Sequence, residues 1–415
     1  MKSLNLKAYR FGILEKFIAF ILIYVICSVP IQRFAQTVDG AGRFPTILLI
    51  FCCILIFRKI KNDIFSKPLS IYLILAIYML FNVLIKGTYM PTFIYFKIIF
   101  GSVFFMWLVA YLSQINFDKT IWILFIGFYL YTLLCFFNES MSASERLGGA
   151  INANTIGLNA FFATAFALFL YVRKKIKLLS LVVLLILPFY VAILTGSRMT
   201  LGASLFIIAG TFIVSRDKKN ILSLIGGIFI LGVIAVITYY ILEHTLVGER
   251  LAGTTTQMEE LGLATGTILD LFGDRGIQYY VSWPYFLDNL ITGIGLRHWV
   301  EDGPTGHVCH SEYLTMYLEN GLIGIALYAA FYYQIIKRLL QRKAATAGTD
   351  KNIFKYLLLT FIALLFINSV LWSFDALGFF AVYALSYTTA YKAPRAIATQ
   401  KPLPKYDMAK TKYPL

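Results

Sequence analysis

All four histidines of the chain, His244, His298, His307 and His310, fall in one polar stretch of roughly residues 243 to 312. The same stretch carries Arg250, Arg275 and Arg297 together with many carboxylates. Imidazole titrates near neutrality and can take a proton as a general base. A guanidinium is a permanently charged fork that pairs two donors with phosphate or carboxylate oxygens. The long runs on either side of this stretch are apolar, and a bilayer excludes charge at high cost. Chemistry therefore belongs to the polar stretch. His310 is its sharpest candidate, in His307-Val308-Cys309-His310-Ser311-Glu312-Tyr313-Leu314, at the mouth of the next apolar run. A lipid-linked substrate would present its headgroup at that depth. Three roles stay open for His310: a base or substrate-orienting group, a partly buried structural histidine, or a metal ligand. If helical, His307 and His310 share a face at i, i+3, and His298, Glu312 or Cys309 would complete a metal site. The spacing lacks a zinc pattern such as HExxH, so no metal and no cofactor are expected.

Three other segments carry candidate groups. In Thr195-Gly196-Ser197-Arg198 the glycine permits a tight turn, Ser197 can cap the following helix, and Arg198 stands where free helix N–H groups meet an anion. The plain alternative for Arg198 is snorkelling to the interface. Arg146-Leu147-Gly148-Gly149-Ala150-Ile151-Asn152-Ala153-Asn154 leads into another apolar run. Asn152 and Asn154 suit sugar hydroxyls or phosphate oxygens, and equally suit a helix cap with interhelical hydrogen bonds. Asp274-Arg275 precedes Gln278, Tyr279, Tyr280 and Trp283 at helical spacing, then Pro284 and a Gly-rich bend from Asp288 to Arg297. This reads as an amphipathic aromatic helix on the bilayer surface, able to stack sugar rings. Gly293 and Gly295 are too few for a nucleotide-binding pattern.

These groups need elements to hold them. With 59% hydrophobic and 14% charged residues and a mean hydropathy of +0.74, the 415 residues read as one all-α polytopic transmembrane domain, 1–415. A globular domain carries about 25% charged residues. Spans of about 20 apolar residues are expected near 15–32, 44–58, 68–86, 91–112, 120–137, 151–172, 178–195, 199–215, 221–242, 318–336, 354–372 and 375–391. The first apolar run ends at Pro30 without a small-residue cleavage site and reads as a span rather than a signal peptide. Between the ninth and tenth spans lies the catalytic loop, 243–317.

Twelve spans put both termini on one side, and that side then holds 28 of the 37 lysines and arginines against eight opposite, with Lys97 inside a span. The positive-inside rule makes the rich side cytoplasmic and the histidine loop external. The net charge of +16 is thereby spent on orientation, which argues against nucleic acid. Seven of the eight outer cations are arginine, against seven of the 28 inner ones. That bias suits an anionic ligand, a phosphate above all; loop salt bridges are the plain alternative. Four cysteines, Cys27, Cys52, Cys53 and Cys135, lie in apolar runs and Cys309 stands alone, so no disulfide framework is expected.

Taken together, the motifs resemble the O-antigen ligase and polymerase family of bacterial surface-polysaccharide assembly. The resemblance rests on Ser197-Arg198, on Arg275 through Gly295, on His310 to Leu314 and on Glu319-Asn320-Gly321-Leu322-Ile323-Gly324, with the 146–154 segment in support. It departs at Ser311, where asparagine is frequent, and in Leu290-Ile291-Thr292-Gly293, which lacks the usual proline. The resemblance implies transfer of a glycan from a polyprenyl diphosphate to a sugar hydroxyl in the bacterial inner membrane, with inversion and without metal. His310 would be the base or acceptor-orienting group, with Arg198 and Arg275 clamping the diphosphate. Arg146, Asn152, Asn154, Arg297, His307, Trp283 and Glu319 would bind substrate. The acceptor is another lipid-linked repeat unit in a polymerase and lipid A-core in a ligase. The outer loop of about 70 residues and its few extra cations favour the polymerase. A transporter or flippase for an anionic lipid is the competing class, but such proteins place their coupling charges near the midplane.

Overall fold

The computed structural model describes residues 9–34, 43–87, 92–139, 147–148, 151–215, 240, 274–296, 298–299, 311–346, 349–369 and 376–392. Its long elements are helices: α1 (Ile13–Phe34), α2 (Arg43–Ile64), α3 (Lys67–Lys86), α4 (Thr92–Ile115), α5 (Phe117–Asn138), α6 (Ala153–Val172), α7 (Leu178–Leu194) and α8 (Arg198–Ser215). Within the polar stretch lies α9 (Asp274–Asp288), and after it come α10 (Glu312–Ala345), α11 (Thr349–Asn368) and α12 (Leu377–Tyr387), the last running into a π-helical turn, Thr388–Lys392. Six of these are long and apolar enough to cross a membrane, and Ile99–Ile115, Leu178–Leu194 and Arg198–Val214 are shorter apolar helices. The chain is an all-α, multi-pass membrane protein. The span expected at 221–242 lies, apart from Tyr240, outside the described residues.

Several expected boundaries shift by a few residues, among them the second span, where α2 runs on to Ile64, and the eleventh, where α11 already starts at Thr349. The tenth span was placed at 318–336, whereas α10 starts at Glu312 and is broken at Gly321, whose φ of 61° and ψ of −162° are not helical. Hydropathy finds where a helix is greasy. Here Ser311 starts the helix earlier, its hydroxyl accepting from the Leu314 amide, before the apolar stretch begins.

Helix α6 is the hub. Most of its residues are buried, and it packs on α5, α7, α8 and α11. Small residues let backbones approach, as membrane helices require in place of a hydrophobic drive. Gly157 faces Thr195 and Thr200, and Gly378 of α12 faces the Phe162 ring, each so close that a Cβ would collide. Gly127 of α5 receives Ile26 of α1 in the same manner. Elsewhere α2 and α12 pack on α4, α3 packs on α10, and α11 joins α8 to α10. The rim is apolar: Phe20, Ile54, Ile85, Leu179 and Ile186 are among its exposed side chains. In water such a surface would aggregate; against lipid tails it is in its solvent.

Candidate functional site

Two turns at helix ends carry the candidate groups. The first joins α7 to α8. Gly196 takes φ 59°, and the Thr195 hydroxyl donates to the Ala192 carbonyl at 2.8 Å while accepting from the Ser197 amide at 3.4 Å. Helix α8 then begins at Arg198, half-buried at its first position. The tight turn expected at Gly196 is present, with Thr195 as the hydroxyl that closes it.

The start of α6 lies against this turn. Asn152 is its N-cap, with Oδ1 accepting from the Asn154 amide at 2.8 Å. The Leu147 amide donates to the Leu194 carbonyl at 2.9 Å, which ties the chain just after Arg146 to the last residue of α7. Glu139, buried at the end of α5, accepts from the Ile151 amide at 3.0 Å. A Cβ on Gly157 would stand 2.7 Å from Thr200 Oγ1 and 3.0 Å from Thr195 Oγ1. The second turn of α6, at Gly157, therefore lies against the turn that starts α8, with Asn152 and Asn154 heading the one helix and Arg198 the other. Free amides and the positive dipole end make a helix N-terminus an anion site, and Arg198 adds its charge to that of α8.

The second turn is the bend after α9, and it is docked on the break in α10. The Ile294 amide donates to Leu318 O at 2.7 Å and the Gly295 amide to Glu319 O at 3.2 Å. In return the Leu322 amide donates to Leu290 O at 2.9 Å and the Ile323 amide to Ile291 O at 3.3 Å. A break in a helix frees carbonyls and amides that must find partners away from water; the bend supplies them. Helix α3 clamps the junction from the side. Asn82 Nδ2 donates to Thr292 O at 3.0 Å and Glu319 O at 2.9 Å. Tyr78 donates to Asn320 O at 2.9 Å, and Lys86 Nζ to Thr292 Oγ1 at 2.9 Å and to Gly293 O.

Helix α9 packs on the N-terminal half of α10 through Ser282, whose hydroxyl pairs with Tyr317 at 2.6 Å, and through Tyr285 and Phe286 around buried Trp299, Leu314 and Leu318. Its other face presents Trp283 at 56% exposure, with Leu287 beside it. Trp283 is exposed, and Pro284 lies within the helix rather than after it. Glu319 is 4% exposed, and its main-chain oxygen is the atom that docks the bend. Arg275 sits in the first turn of α9. Arg146, Arg297, His307 and His310 lie outside the described residues.

Beneath His310 in sequence is a polar network that hydropathy gave no reason to expect. Glu312 Oε1 accepts from Tyr328 at 2.7 Å. Tyr328 pairs with Tyr332 at 2.8 Å, and Asn368 Nδ2 donates to both tyrosines at 3.0 and 2.9 Å. Tyr383 reaches Tyr332, and the Ser311 hydroxyl reaches Asn368 O at 3.4 Å. The departure at Ser311 keeps a hydrogen-bonding role: it caps α10 and ties it to the end of α11. The α3 clamp carried a legible signal, since Tyr78, Asn82 and Lys86 recur every four residues on one face of an apolar span. Among the described residues no cluster of His, Cys, Asp and Glu is placed to hold a metal; His307 and His310 stand outside that statement.

No curated protein matches the chain. Residues 181–329 match the family model described as O-antigen ligase, an interval that includes the α7–α8 turn, α9, the bend and the break in α10. Over that interval the chain is similar to the O-antigen ligase family.

Proposed function

We propose that the chain transfers a glycan from a polyprenyl-diphosphate donor to a sugar hydroxyl, extending surface-polysaccharide repeat units at the outer face of the bacterial inner membrane, with both termini cytoplasmic. The observation that carries this reading is the packing of the start of α6, at Gly157, on the Thr195–Thr200 turn from which Arg198 opens α8. A diphosphate is the leaving group such a place would hold. The donor's anomeric carbon is already activated, so the reaction needs no nucleotide. His310 takes the proton from the acceptor hydroxyl as its oxygen bonds to the anomeric carbon. The bond from that carbon to the diphosphate breaks, and its electron pair leaves with the polyprenyl diphosphate. Arg198, Arg275 and Arg146 stabilise the charge that develops there. One displacement inverts the anomeric centre, and the arginines take the place of a metal. Asn152, Asn154, Trp283, Arg297, His307 and Glu319 belong to the substrate surface.

The bend locked to α10 supports the same reading, because a base is effective only when held near its proton. The segment bearing His310 is bounded by the clamped bend on one side and the capped start of α10 on the other. The small outer loop favours a lipid-linked repeat unit over lipid A-core as acceptor.

The test supplies purified protein in nanodiscs with polyprenyl-diphosphate-linked repeat units, with and without lipid A-core. A ladder formed without lipid A-core is expected. A single attachment that requires lipid A-core would make the chain a ligase, and no transfer by folded protein would overturn the enzymatic reading in favour of transport.

A further inference from the structure

At the opposite ends of the helices, a concavity of about 420 Å³ is lined by Tyr171, Lys174, Lys175, Ile176, Lys177 and Asn352. The turn from α6 to α7 makes its wall. The Lys174 amide donates to Tyr171 O at 2.8 Å and the Lys175 amide to Leu170 O at 2.9 Å, a helix-ending motif whose left-handed residue is usually glycine. Here that residue is Lys174, at φ 56°, the one non-glycine with a positive φ among the described residues. Asp118 on α5 then sorts the cations. It takes Arg173 at 2.8 Å and Lys175 at 2.7 Å, fixing the turn, and no ion pair among the described residues includes Lys174 or Lys177. Helix α7 begins directly after Lys177 with no side-chain cap, which adds a helix N-terminus to the lysines. Its next turns, Leu179, Val182, Val183 and Ile186, are exposed apolar side chains on the lipid-facing rim.

We infer that this pocket binds the phosphate of an anionic membrane lipid, its acyl chains lying along the exposed face of α7. Orientation by the positive-inside rule needs cations near this end of the helices. It requires neither a walled concavity nor a lysine in a conformation that favours glycine. A phosphate needs both the charge and the uncapped helix start. The adjoining strip of α7 makes a lipid, rather than a soluble phosphate, the fitting source.

The test is native mass spectrometry of the full chain with phosphatidylglycerol or phosphatidylcholine, alongside calorimetry with inorganic phosphate. Lys174→Gly combined with Lys177→Gln removes both free charges, and glycine suits the backbone at 174, so the fold is kept. Lys337→Gln with Lys343→Gln removes the same charge elsewhere. The wild type is expected to retain phosphatidylglycerol over phosphatidylcholine, and the pocket variant to lose roughly 30-fold in affinity for it, about 1 kcal/mol for each lysine. The control variant is expected to lose little. Equal binding of the two lipids, or equal losses in both variants, would overturn the site. Lysine-dependent binding of inorganic phosphate without a lipid preference would overturn the lipid and leave a soluble anion in its place.

Discussion

Gly321 and Gly293 stand backbone to backbone: a Cβ built on Gly321 would lie 2.6 Å from the Gly293 nitrogen and 2.4 Å from the Ile291 oxygen. One Gly-rich segment within the polar stretch and one just beyond it thus explain each other. Gly321 also adopts a backbone conformation close to glycine-only, worth of order 1–3 kcal/mol against any side chain. Gly321→Ala and Gly293→Ala should each lower thermal stability and abolish glycan extension. Gly202→Ala, with nothing within 4 Å of its Cβ, should be neutral in both. Normal activity in Gly321→Ala would show that the docked bend is dispensable.

How far the sequence alone reaches follows from the range of the forces involved. Span positions and the turn at Gly196 are local: about 20 apolar residues, or a glycine between two such runs, suffice to locate them. The docking of the bend is not local, because Asn82 meets Glu319 across 237 positions. The stripe of Tyr78, Asn82 and Lys86 shows that α3 has a polar face but does not name its partner. The same holds for Glu312, Tyr328, Tyr332, Asn368 and Tyr383. Each is one polar residue in an apolar run, and only packing shows that they share hydrogen bonds. Glu319 enters the sequence reading through the Glu319-to-Gly324 segment, which does not reveal that its main-chain oxygen accepts from the Gly295 amide of the bend.

Asn82 tests the clamp with the branching of the side chain kept. Asn82→Leu removes two donors and leaves the Thr292 and Glu319 carbonyls to find others, a loss of about 1–3 kcal/mol for each buried group left unsatisfied. Thermal unfolding in detergent should fall by several degrees, and activity should fall with it. An unchanged midpoint would mean that water replaces the amide.

Tyr328→Phe keeps the ring and deletes one hydroxyl, which takes a donor from Glu312 and a partner from Tyr332. Buried carboxylates are costly when a partner is removed, so this change should destabilise more than Tyr190→Phe on the exposed face of α7. Comparing the two unfolding midpoints decides the matter, and equal values would remove the network from the stability of α10.

His310→Ala should stop extension in a protein that still inserts and unfolds cooperatively, since general-base assistance is worth about 10²–10⁴-fold. Chelators should leave the wild type unaffected. Activity lost to a chelator and restored by zinc would make His307 and His310 ligands instead.

Arg198→Lys separates charge from geometry. The first turn of α8 can hold a phosphate against a cation of either kind, but only a guanidinium offers two parallel donors to a pair of oxygens. Lysine at 198 should therefore lower kcat by tenfold or more while the protein folds normally, because the side chain is half-buried at a helix start that Thr195 and Gly196 already shape. Arg275→Lys should behave alike if both arginines hold one diphosphate, and the double variant should then lose less than the product of the single losses, as groups acting on one leaving group are not additive. Multiplying effects would place the two arginines on different parts of the substrate, and full activity in both single variants would reduce them to simple charge.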